Sequence, residues 1–197
     1  MRKLTVADIA DQRAYERERA ELRERIIELK RTRRVSLGPI LTVLFENTET
    51  MRWQVQEMAR AERMLRDEQI AHEVATYNEL IPDAGELSGT LFLELTSDAA
   101  LREWLPKLVG IEFHVGFALP DGGTVYGKPS DADEERLTRD DTTAAVHYLR
   151  FAFSPEQVAA FEKGPVDVIV DHPAYSDRAP LDAVQHASLV ADLLDLT

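Results

Sequence analysis

Four side chains in the first half of the chain have the types and spacing to hold a metal: Glu57, Glu62, Glu68 and His72. Glu68 and His72 are four residues apart, so a helix would present both on one face, as ligands of one cation must be. A carboxylate-rich set with one imidazole suits iron, manganese or zinc. The Glu-x-x-His spacing repeated on two helices, typical of carboxylate-held metal pairs, does not occur. His114, His147 and His172 form a second set of candidate ligands, each on a predicted strand or at its end. By alternation His147 shares a face with Leu149 and Phe151, and His172 shares one with Val168 and Val170. A histidine in such company is commonly a hydrogen-bonded core residue. Asp171 and His172 are neighbours on one strand, so they face apart and make no acid–base dyad by themselves. No cofactor is required by the sequence, and a Glu/His-bound metal is the one it leaves open.

The second candidate is a recognition surface. Arg52, Gln54 and Gln56 alternate with Met51, Trp53 and Val55, which reads as the open side of a strand. Glu57 and Arg60 follow where the period changes to helical, and Arg150 sits on a later strand. One cation and two amides in a row could bind a carboxylate or another strand, or line a small-molecule pocket with Arg150. No G-x-S-x-G, phosphate loop, dinucleotide fingerprint or H-E-x-x-H occurs.

The elements expected to position these residues begin with a long charged helix over residues 5–33, capped by Thr5 or Asp8. Tyr15, Leu22, Ile26 and Leu29 give it a narrow apolar stripe. A strand follows over 35–46, apolar on both sides and therefore central, with Gly38-Pro39 marking a bulge or edge. A second strand is expected over 50–56, then helices to residue 80. Next come a strand over 87–95, a short helix capped by Ser97 or Asp98, and a hairpin over 111–128 turning at Asp121-Gly122-Gly123. An acidic exposed loop is expected at 129–142 and a strand at 143–153. Ser154-Pro155 starts a helix that ends near Gly164. A strand over 166–171 and a helix over 180–194 complete the chain. The fold class is α+β: a mainly antiparallel sheet of about seven strands with flanking helices. Residues 1–34 are expected as a helical arm packed on a single domain, 35–197.

The charge layout limits the partners. The 197 residues carry a net charge of −13, against a general role on nucleic acid. Residues 1–66 hold 15 basic and 11 acidic side chains, whereas 67–197 hold 8 and 25. A basic arm is thus expected to lie on its own acidic body or on that of a second copy, giving a homodimer. The absence of cysteine excludes disulfides, thiolate-bound clusters and thiol catalysis by this chain, and fits a reducing cytoplasm. No stretch has the length of a membrane span or of a signal-peptide core.

The segments MRWQVQEMARAERM, TYNELIP, LREWLPKLVGIE, VHYLRFAF and VDHPAY, in that order, resemble the bacterial domain-of-unknown-function family 3501 over nearly the whole chain. The resemblance implies a redox or oxidative-stress setting, with rubrerythrin-like or iron–sulfur oxidoreductase partners. It assigns no residue a role. The resulting expectation is an accessory or interaction protein with a protein partner. The alternatives are a metal-binding protein or metal-dependent enzyme, and a small-molecule binder.

Overall fold

The computed structural model describes residues 1–130 and 142–196. The expected acidic loop at 129–142 falls almost wholly outside them. The fold is α+β; the described residues form two antiparallel sheets rather than one, with nine strands rather than about seven.

A short 3-10 turn, Val6–Asp8, precedes the first helix, α1 (Gln12–Arg31). The helix does not begin at residue 5, because Asp11 caps it by accepting from the backbone N–H of Arg13 and Ala14. Strands β1 (Arg34–Leu37) and β2 (Leu41–Glu46) are a hairpin, not one long strand. Gly38, at φ +67°, makes the turn; a Cβ there would lie 2.2 Å from the Tyr175 hydroxyl, so only glycine fits.

Residues 50–56 are not a strand. They lie inside α2 (Thr48–Ala61). The Asn47 side chain accepts from Thr50 N–H at 2.9 Å, and the Thr50 hydroxyl accepts from Asn47 N–H at 2.9 Å. This reciprocal cap satisfies two otherwise unpaired donors and starts the helix. Met51, Val55 and Ala59, four apart, are its buried stripe.

Helices α3 (Asp67–Asn78) and α4 (Asp98–Trp104) lie either side of β3 (Glu86–Leu93), and a 3-10 turn spans Ile111–Phe113. Strands β4 (Val115–Ala118), β5 (Thr124–Tyr126), β6 (Lys128–Pro129) and β7 (Val146–Ala152) follow. Helix α5 (Pro155–Lys163), strands β8 (Asp167–His172) and β9 (Tyr175–Pro180), and α6 (Ala183–Leu193) complete the chain. The larger sheet has the order β1-β2-β3-β7-β6 and the smaller β5-β4-β8-β9.

The main core lies between the sheets. Phe117 of the small sheet stacks on Phe45 of the large one at 5.3 Å and meets Phe151 edge-on at 5.0 Å. Phe161 of α5 closes the cluster 5.4 Å away. The opposite face of the large sheet carries a second cluster, Met51, Val55, Val74, Leu80 and Ile81, from α2, α3 and the turn after it. Two side-chain amides tie the N-terminal segment there. Gln56 exchanges two hydrogen bonds with the Ala10 backbone, both 2.9 Å, and Asn78 does the same with Leu4 at 2.8 and 2.9 Å. Among the described residues no helix is long and apolar enough to cross a membrane.

Candidate functional site

Because 50–56 is helical, the expected row of Arg52, Gln54 and Gln56 does not exist as a row. At 100° per residue Arg52 and Gln56 share a side of α2 and Gln54 points away from both. Arg52 donates from Nε to Asp8 O at 3.1 Å, and Gln56 is taken up by Ala10. Glu57 accepts from the Tyr15 hydroxyl at 2.6 Å and from Arg19 Nε and Nη2 at 2.7 and 2.8 Å. The guanidinium, helped by the Tyr15 hydrogen bond, holds the Glu57 carboxyl down at about 2, although partial burial opposes this. Burial and the Glu57 carboxylate push the Tyr15 hydroxyl up. Arg60 donates from Nε to Glu16 at 2.6 Å. A cavity of ≈ 200 Å³ lies beside Gln56 and Arg60, between the N-terminal segment, α2 and α3. Arg150 is not part of this cluster.

The candidate metal ligands are likewise dispersed. Glu57 is engaged by Arg19, while Glu62, Glu68 and His72 are exposed. Among the described residues no three His, Asp or Glu side chains are placed to share a cation. His147 is buried on β7, with Nε2 3.0 Å from both the Thr143 hydroxyl and Ala144 O. Burial lowers its pKa, partly offset by the Glu112 carboxylate 4.0 Å from Nδ1. His172 has both nitrogens occupied. Ala174 N–H donates to Nδ1 at 3.2 Å, which leaves Nε2–H to donate to Val109 O at 3.1 Å.

The structure assembles a different site where the chain passes between sheets. Tyr126 ends β5 in the small sheet, and Lys128 begins β6 in the large one. Gly127 makes the crossing; its N–H donates to Val115 O at 2.8 Å, and a Cβ would meet the Phe151 ring at 2.8 Å. Tyr126, Lys128, Pro129 and Ser130 of this segment line a cavity of ≈ 490 Å³ with Glu79, Arg150 and Ala152. Arg150 is directly opposite Lys128 in the β6–β7 register. The Arg150 guanidinium is fixed by the Glu86 carboxylate and the Glu79 carbonyl. Lys128 has no ion-pair partner among the described residues. Ser130 is 9% exposed, and its hydroxyl has no hydrogen-bond partner among the described residues. Glu46 Oε2 and Glu112 Oε2 are also buried without a hydrogen bond among the described residues; of the three, Ser130 is the one that lines this cavity.

The cavity's Tyr126 connects to a surface relay. Its hydroxyl donates to Asp171, whose other carboxylate oxygen lies 3.2 Å from His114 Nδ1. That hydrogen bond raises the Tyr126 pKa. A Nδ1–H donated to Asp171 leaves His114 Nε2 as a basic lone pair, the state a proton acceptor needs. The His114 and His172 rings meet edge-on at 5.1 Å. Asp171 therefore serves His114 across the sheet and not its neighbour His172. Sequence reasoning named Arg150, His114 and Asp171 but missed Tyr126, Lys128 and Ser130. Their signal was the period-two run Tyr-Gly-Lys-Pro-Ser.

The comparisons with known proteins agree with the fold. A crystal structure of a novel protein of unknown function from Burkholderia pseudomallei K96243 is 34% identical, with a TM-score of 0.89. The match covers 98% of this chain and 100% of that one. No curated protein matches the sequence. The family described as Protein of unknown function (DUF3501) matches over residues 3–193, so the chain belongs to that family.

Proposed function

We propose that the protein binds a small polar ligand in the cavity at the sheet crossing. The observation that carries this reading is Ser130 in the wall of a cavity of ≈ 490 Å³: its hydroxyl is buried and has no hydrogen-bond partner among the described residues. A buried hydroxyl left unpaired costs about 1–3 kcal/mol, so it persists where it has another use. The cavity is also of ligand size, and convergent polar groups in such a space are the usual mark of a binding site. Amide chemical-shift mapping with a library of small polar fragments tests this. Saturable shifts are expected at Gly127, Lys128, Ser130 and Arg150; a library that moves none of them would contradict it.

A second reading gives the protein an accessory role in the bacterial cytoplasm, docking an oxidoreductase. Phe113 favours it, being 57% exposed beside His114. A large exposed aromatic is a common anchor of a protein interface. Phe113→Ser should then abolish co-purification with the partner while leaving fragment binding in the cavity unchanged. A metal-dependent activity has less support, because Arg19 already neutralises Glu57.

A further inference from the structure

We propose that the ligand of the crossing cavity is an oxyanion, the phosphate or carboxylate of a small metabolite, with Lys128 as its counter-charge and Ser130 as its hydrogen-bond donor. This rests on the cavity being the ligand site.

Lys128 and Arg150 are directly opposite on paired strands. Like charges in that position repel and weaken the pairing. Arg150 is compensated by Glu86, but Lys128 has no ion-pair partner among the described residues. In a chain with 36 acidic and 23 basic residues, counter-charges for a lysine are plentiful. Even the Glu79 carboxylate, which lines the same cavity, makes no ion pair with Lys128 among the described residues. An anion between Lys128 and Ser130 would supply what the fold withholds.

Tyr126, Lys128, Pro129 and Ser130 all line the cavity, so the crossing segment forms one of its walls. The Ser130 N–H is already committed to Tyr148 O at 2.9 Å, so the hydroxyl is the group left to donate. Hydrogen bonds from a hydroxyl or ammonium to a charged acceptor are the strong class. Arg150 cannot swing in to replace Lys128, because Glu86 and the Glu79 carbonyl hold it. The Tyr126 hydroxyl is likewise spent on Asp171. Glu79 disfavours heavily charged ligands, so a single oxyanion group is the class expected.

The full chain is titrated, at constant ionic strength, with inorganic phosphate, succinate, putrescine and glycerol, following the amides of Gly127, Lys128 and Ser130. Phosphate or succinate should saturate these shifts, and whichever binds more tightly identifies the oxyanion. Lys128→Gln should weaken binding about tenfold or more, and Ser130→Ala about threefold. Preserved chemical shifts elsewhere verify that both variants fold; Lys128→Arg, which keeps the charge, should retain most of the affinity. If putrescine or glycerol binds as well as the anions, or Lys128→Gln binds like the parent, the oxyanion inference falls while the cavity reading stands. If none of the four probes moves these amides but other polar fragments do, the inference also falls alone. If nothing binds, both fall.

Discussion

The seam between α1 and α2 and the crossing between the two sheets are both rich in polar side chains, but they use them differently. In the seam, Tyr15, Arg19, Gln56, Glu57 and Arg60 all have partners within the chain. At the crossing, among the described residues, Lys128 lacks an ion-pair partner and the Ser130 hydroxyl lacks a hydrogen bond. A polar group already satisfied has little left to offer a ligand. The seam is therefore scaffold, and the crossing holds the unused bonding capacity. The sequence alone ranks them the other way, because polar residues are densest around Arg52–Arg60.

The contrast is broken most severely at the base of the seam. Arg33 and Asp192 are 1% and 0% exposed and form a buried ion pair joining the end of α1 to α6. Arg33 also donates to Phe45 O at 2.8 Å. Asp192→Ala leaves a buried cation unpaired and should cost about 3–5 kcal/mol in denaturant unfolding. A loss below 1 kcal/mol would show that the pair is not structural.

Glu57→Gln comes next. It removes the carboxylate shared by Tyr15 and Arg19 and should cost about 2 kcal/mol at neutral pH. The pH dependence has a definite sign. The folded carboxyl titrates at about 2 against an ordinary 4.5, so its stabilisation is full above pH 4.5 and is lost as pH falls towards 2. The Gln variant should show a shallower loss of stability across that interval. Ligand binding at the crossing should be unaffected.

At the crossing the expected changes are smaller and opposite in sign. Ser130→Ala removes an unsatisfied buried hydroxyl and should stabilise the protein by about 1 kcal/mol. Lys128→Gln relieves the repulsion with Arg150 and should stabilise by about 0.5 kcal/mol. Thermal unfolding checks both. Gains in stability at the expense of binding are the usual pattern at functional sites.

The sequence was most legible where local chemistry decides. Ser97 caps α4, and Ser154 with Pro155 starts α5, both as expected from their types. The Asp121-Gly122-Gly123 turn joins β4 to β5. Residues 50–56 misled because Met51, Trp53 and Val55 alternate like a strand, while Met51 and Val55 are also one helical turn apart. The Asn47–Thr50 cap decided between them. Strand β9 was missed because Ser176, Asp177 and Arg178 give a solvent-facing edge with little apolar alternation. At the site, Arg150 was identifiable as a polar group on a strand, and the Tyr126, Lys128, Ser130 alternation was readable. What the sequence could not hold was that, among the described residues, Lys128 has no ion pair and the Ser130 hydroxyl no hydrogen bond. That depends on the crossing at Gly127 and on the β6–β7 register, which bring residues 20 or more positions apart into one wall.

The central claim is that the crossing keeps bonding capacity for a ligand at some expense of stability. Measuring unfolding and phosphate or succinate binding together on Ser130→Ala tests it most directly. The account predicts a variant more stable than the parent that binds about threefold more weakly. A variant that is less stable and binds equally well would show Ser130 to be scaffold and would contradict the account.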